Sequence, residues 1–245
     1  MHRSRHARIA VVVATVALAA PAMVGASDST PVGSMRASLS PSRDLTPGTP
    51  VTFTLDTRFT YPPGEDFVLQ RLVYLFPRGT VVNGRLFPAC DVAALRRAHG
   101  HLSACPAGSR IGDGVASGTA VALGVRSSGR VTLFNGPGGR SIVINVAIQT
   151  PALINASFAA PFVTLHGRWS NKLTVTPPDA LKRVVDGDIV TSRIRTRTGA
   201  TRMIHGVRRG YVEAQHCPRS GRARIHGDFT FDRGASTSTD TFVPC

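Results

Sequence analysis

Apolar and polar residues alternate with a period of two along most of this chain, the pattern of strands that bury one face. Val51, Phe53 and Leu55 alternate with Thr52, Thr54 and Asp56. Phe67–Phe76 (FVLQRLVYLF) is a nearly continuous apolar run ended by Pro77, which predicts a central strand buried on both faces or a strand in a sandwich core. Arg130–Phe134 and Ser141–Gln149 flank Asn135-Gly136-Pro137-Gly138-Gly139, predicting a hairpin with a Gly-rich loop. Further strands are predicted at Ser34–Leu39, Gly114–Leu123, Ile154–Leu165, Lys172–Thr176, Ile189–Arg195, Tyr211–Cys217 and Arg222–Phe231. Helix signals are few. Asp91 can cap a short helix over Val92–Ala98, with Val92 and Leu95 on one face, and Ala180–Val185 can add one turn after Pro177-Pro178. Many short strands separated by turn residues predict an all-β fold, an antiparallel β-sandwich of Ig-like or jelly-roll-like type, in one domain over residues 34–245.

The first residues depart from this pattern. Arg3, Arg5 and Arg8 precede the apolar run Ile9–Ala20, Pro21 breaks it, and Val24-Gly25-Ala26 offers small residues for cleavage. Residues 1–26 therefore read as a cleaved export signal and 27–33 as a flexible mature N-terminus. Ile9–Ala26 read as an uncleaved anchor would be at the short limit for spanning, with a proline inside it. No later stretch is long and apolar enough to span a bilayer. The expected product is a secreted, extracytoplasmic protein.

The cysteines suit an oxidising compartment. Cys90, Cys105, Cys217 and Cys245 allow three pairings. Cys90 with Cys105 and Cys217 with Cys245 is the expected one, since each pair brackets a short segment. Each such loop would stabilise the fold by about 3 kcal/mol in the chain-entropy picture. The helix over Val92–Ala98 would sit inside the first loop. No C-x-x-C occurs, so the spacings match no common zinc module.

Two stretches carry a resemblance. One runs through Leu75-Phe76-Pro77-Arg78-Gly79, Asn83, Phe87-Pro88-Ala89-Cys90 and Cys105-Pro106-Ala107-Gly108-Ser109-Arg110-Ile111-Gly112-Asp113-Gly114. The other is Cys217-Pro218-Arg219-Ser220-Gly221, Phe229-Thr230-Phe231 and Val243-Pro244-Cys245. Together they resemble a group of secreted proteins of high-GC Gram-positive bacteria, over roughly Phe67–Gly118 and Tyr211–Cys245. The resemblance implies a signal peptide and a disulfide-bonded β fold. It implies no activity, and no catalytic residue is carried over.

Composition excludes a disordered chain: 42% of residues are hydrophobic and 18% charged. The formal net charge is +15, and loss of residues 1–26 removes three arginines and no acid, leaving +12. Eleven basic residues between Lys182 and Arg224 face only Asp186, Asp188 and Glu213. Arg193, Arg195 and Arg197 are spaced by two, so an extended strand points all three to one face. With Arg208 and Arg209 they form the candidate anion-binding surface. Anionic wall polymers, phospholipid headgroups and extracellular DNA are the polyanions outside a cell. Sequence-specific nucleic-acid binding is not expected, because the region offers only Tyr211 for stacking and no nucleic-acid fold motif. The plainer reading is a solvated strand face that discourages edge pairing. Arg numbers 27 against two Lys, so GC-rich codons account for part of the charge.

Other chemistry is sparse. His99 and His101 form an H-x-H pair that, with His205, His216, His226 and Met203, would make a metal site only if folding gathers them. No metal and no cofactor is expected from spacing. There is no G-x-S-x-G, H-E-x-x-H, P-loop or S-x-x-K. Gly112-Asp113-Gly114-Val115-Ala116-Ser117-Gly118 is not a dinucleotide fingerprint, since its last spacing is one too long. Glu65 and Glu213 are the only glutamates; Asp186 with Asp188 and Asp228 with Asp232 are among the closest acid pairs and read as turn or strand-end residues. Asn155-Ala156-Ser157 is a formal sequon inside an apolar strand pattern. Trp169, the single Trp, reads as a core anchor at a strand end or a sugar-stacking ring. The function expected is a non-enzymatic, envelope-associated or extracellular binding protein. A secreted hydrolase with an unrecognised site and an extracytoplasmic metal-binding protein are the alternatives.

Overall fold

The computed structural model describes residues 30–42, 45–184, 187–215 and 217–245, so the expected export signal at 1–26 lies outside the described residues. The chain is all-β and antiparallel. Eleven strands form one continuous ladder: β1 (Val32–Ser40), β2 (Thr52–Thr60), β3 (Leu69–Pro77), β4 (Arg110–Ala120), β5 (Val125–Asn135), β6 (Ser141–Thr150), β7 (Ile154–Thr164), β8 (Trp169–Val175), β9 (Gly187–Thr198), β10 (Arg222–Phe231) and β11 (Ser236–Pro244). Their order in the sheet is β1-β2-β9-β4-β5-β6-β7-β8-β3-β10-β11, with Arg183–Val184 as a short twelfth strand on β9. Val32 and Gly33, expected in a flexible terminus, already belong to β1.

The two edges come together. Gly33 of β1 lies against the Phe229 ring of β10 and Thr237 of β11, close enough that a Cβ there would collide with both. A glycine is required at that seam for its lack of a side chain. The expected sandwich needs two separate sheets face to face. Instead, the ladder passes without interruption from β7 to β8 through Phe162, Val163 and Thr164 and on to β3. The sheet is therefore barrel-like and nearly closed. Alternation is the same inside a sandwich and a barrel, which is why the pattern alone pointed to the commoner arrangement.

The alternation itself holds. Leu72, Tyr74 and Phe76 of β3 are buried, whereas Val73 and Leu75 are only half-buried, so the apolar run is a central strand with one buried face. Inside, one apolar cluster gathers around Val131, Leu133, Ile144 and Val146 on β5 and β6. A second gathers around Leu55, Phe59, Leu72 and Phe229 on β2, β3 and β10. Phe59 meets Phe229 and Phe231 edge-on at 5.1 and 5.5 Å between ring centres. Several strands missed their expected limits. Tyr211–Cys217 shrinks to Val212–Ala214, which pairs with Thr49–Pro50 and Thr80–Val82 in a small sheet of its own. β11 was not expected, because Ser236–Asp240 carries no inward apolar residue until Val243.

Both expected disulfides are present, Cys90–Cys105 and Cys217–Cys245. The first loop holds the expected helix α1 (Val92–Arg97), whose Asp91 cap accepts from the Ala93 N–H at 3.1 Å. Leu95 is fully buried against Phe134 and Val143, on the outside of the barrel. Arg96 donates to the Ser157 carbonyl and Asn155 to the His99 carbonyl, so this loop clamps onto β7. The second disulfide ties the chain's last residue to the segment before β10.

Replacing Phe229 with Ala is expected to lower stability by about 3–5 kcal/mol, because it empties the point where three rings and the Gly33 seam meet. Denaturant unfolding checks this: the midpoint should fall with an unchanged slope.

Candidate anion-binding face

β9 sits between β2 and β4, and a bulge between Thr191 and Arg193 sets the phase of its second half. From there Arg193, Arg195 and Arg197 all point outward, as their spacing predicts, while Thr198 turns in. Their cross-strand partners are Arg58, Asp56 and Thr54 on β2, and Ser117, Val115 and Asp113 on β4. The next strands out add Arg36 on β1, opposite Asp56, and Arg130 on β5, opposite Val115. Arg126 of β5 lies opposite Thr119, and Arg110 opens β4. Adjacent strands lie about 4.8 Å apart, so these guanidinium groups share one continuous surface.

Among the described residues, the two aspartates that pair with any of these eight arginines are Asp56 and Asp113. Asp56 accepts a two-pronged pair from Arg193, at 2.8 and 2.6 Å, and a longer contact from Arg58 at 3.4 Å. Asp113 takes Arg110 at 3.1 Å. Among the described residues, Arg36, Arg126, Arg130, Arg195 and Arg197 have no carboxylate partner. Arg193 is thus not free: it is committed to Asp56. The Arg193 fork holds the Asp56 carboxyl below the usual carboxylate range, against a smaller opposing effect of burial.

Arg208 and Arg209 do not join this face. They belong to the hairpin Thr201–Ile204 and Val207–Gly210, beyond the end of β9. Arg209 forks onto Glu213 at 2.9 and 3.0 Å, and Glu213 is fully buried. Burial by itself would raise the Glu213 carboxyl, but Arg209 and the Gly210 N–H reverse this and hold it low. Arg209 is the counter-ion of a buried acid, so it drops out of the candidate ligand set. Arg208 is exposed and, among the described residues, reaches only Thr201 Oγ1.

The glycines Gly112, Gly114 and Gly118 have a packing role. A Cβ on Gly112, Gly114 or Gly118 would run into the Arg197, Arg195 or Val190 carbonyl of β9. They let β4 cross close to β9 and hold the arginine strand in place. Arg36, Arg126 and Arg130 were missed because they lie far from Arg193 in sequence. Their only signal was that each occupies a polar phase of an alternating segment.

The remaining candidates disperse. His99 and His101 sit in the first disulfide loop, His205 and Met203 on the exposed 201–210 hairpin, and His226 on β10; His216 lies outside the described residues. Among the described residues no group of three His, Cys, Asp or Glu side chains is placed to hold a metal ion. His226 lies between Asp240 and Asp228, each 2.9 Å from one ring nitrogen, so neither nitrogen is free to activate a hydroxyl. Glu65 pairs with Arg233, Asp188 with Arg183, and Asp232 accepts from the Val68 N–H. Trp169 is no core anchor: it lies on the outside beside Arg168, Arg224 and His226. Tyr211 is buried rather than available for stacking. Among the described residues no helix is long and apolar enough to cross a membrane. No family model, curated protein or solved structure matches this chain.

Asp56, Glu213 and Asp240 are all held low, Asp240 chiefly by Arg224. The folded protein therefore binds fewer protons at these sites than the unfolded chain. Their stabilisation is present above the ordinary carboxylate pKa, about 4, and lost as pH falls through the lowered values. The thermal midpoint should fall steeply below about pH 4. Glu213→Gln should flatten that fall, read by melting curves from neutral to acidic pH.

Proposed function

We propose that this is an exported, non-enzymatic binding protein that engages an anionic polymer or headgroup surface of the cell envelope through the outer face of β1, β2, β9, β4 and β5. The observation that carries the reading is the set of five arginines on neighbouring strands that, among the described residues, have no carboxylate partner, with Asp56 and Asp113 already occupied. Guanidinium forks suit phosphate and carboxylate, and a broad face with repeated cations favours a polymer over a single small anion. Two disulfides fit an oxidising compartment. Arg195, Arg197, Arg36 and Arg130 are the central contacts, with Arg193 contributing through its exposed edge.

The defined probe is polyphosphate on resin, and isolated cell envelope is the natural one. Binding should fall steeply with salt, and Arg195→Ser/Arg197→Ser should reduce the slope of log affinity against log salt by about two. Asp56→Asn should strengthen binding, since it releases Arg193 and Arg58 from their acid. Binding indifferent to salt and to these substitutions would end the reading.

A further inference from the structure

The two apolar clusters inside the barrel meet through Leu173 and Val175, which pack against both, but they leave space between them. Between the β5–β6 wall, with Val131 and Val146, and the β2–β3 wall, with Leu55 and Leu72, lies a cavity of about 220 Å3. Protein interiors are packed like organic crystals, and a void forfeits dispersion contacts along every wall. Apolar cavities of about 150 Å3 stay dry and accept a benzene-sized molecule. This one is larger and its lining is overwhelmingly aliphatic and aromatic, so water has few partners in it.

One polar group stands out on the lining. Tyr211 is 2% exposed, and its hydroxyl makes no hydrogen bond to any described residue. The other two tyrosines, Tyr74 buried and Tyr61 half-buried, are satisfied. Tyr74 shares a hydrogen bond of 3.0 Å with Thr57, and Tyr61 donates to the Thr191 carbonyl at 2.5 Å. Burial pushes the Tyr211 phenol up, so its hydroxyl keeps its proton at neutral pH and remains a donor. The hydroxyl is not fully enclosed by protein atoms and keeps some accessible surface, so a ligand oxygen in the cavity would accept from it.

We propose that the barrel interior is a second binding site, for a compact apolar molecule that carries one hydrogen-bond-accepting oxygen, with Tyr211 as the donor to that oxygen. The site is independent of the arginine face, because its walls are the inward side chains of the same strands. By the benzene comparison the ligand has roughly ten non-hydrogen atoms.

Acetophenone and isopropylbenzene are suitable probes, because they match in size and differ in the oxygen. Calorimetric titration of the full chain should show saturable binding of both, with acetophenone tighter. Tyr211→Phe should weaken acetophenone about three- to tenfold and leave isopropylbenzene unchanged. Val146→Phe should fill the cavity, abolish both and, without ligand, raise the thermal midpoint. Leu55→Phe provides the same test from the opposite wall if the first variant misfolds, with near-ultraviolet circular dichroism reporting the fold. Arg195→Ser/Arg197→Ser should leave both probes bound, which separates this site from the outer face. Absence of saturable binding, or undiminished binding in a folded cavity-filled variant, would overturn the proposal. Equal loss of both probes in Tyr211→Phe would overturn the role given to that hydroxyl.

Discussion

A free edge of a β-sheet exposes a row of unpaired backbone N–H and C=O groups, and a long sheet must hide its two edges or aggregate. Here β1 and β11 are brought side by side, and at Gly33 the β1 backbone lies against Phe229 and Thr237. That closure gives every strand an inside and an outside. The apolar phase of each strand becomes barrel wall, and the polar phase becomes surface. The interior cavity and the exterior arginine face are consequences of the same closure, built from alternate residues of shared strands.

The outer surface is then divided by one covalent feature. The Cys90–Cys105 loop folds against the outside of β5, β6 and β7, burying Phe134 and Val143 under Leu95. Asn145, Ser157 and Asn155 beneath it hydrogen-bond one another and the loop. This explains why an otherwise outward asparagine such as Asn145 is buried. The strands beyond the loop, from β5 across β4 and β9 to β2 and β1, keep their outer side free. The charge collects there.

Electrostatics refine the picture within that surface. Two of the five arginines singled out from the sequence are bound to acids, one far away in sequence and one, Glu213, whose burial the sequence did not reveal. Asp56 reaches Arg193 across 137 residues, and Glu213 holds Arg209 from inside the fold. Removing either acid would leave a cation with no partner, and removing either arginine would leave an acid poorly compensated. The same arithmetic of partners makes Arg36, Arg126 and Arg130 more available than Arg209, although none of them lies in the basic stretch of sequence.

The sequence alone pointed to most of the strands, the capped helix, the pairing of the four cysteines and the outward row at Arg193, Arg195 and Arg197. Each depends on neighbours within a few residues: period-two alternation, a cap one position before a helix, or two cysteines bracketing a short loop. Tertiary structure decided whether the sheet split or closed, because alternation is identical in both, and only the β7–β8 pairing and the Gly33 seam separate them. It also decided, among the described residues, which arginines lack a carboxylate partner and which tyrosine hydroxyl makes no hydrogen bond, since ion pairs and cavities arise between residues that the chain brings together from far apart. Strand β11 was hidden for a related reason. It pairs with β10 along its whole length while burying only Val243, and backbone pairing leaves no mark on residue pattern.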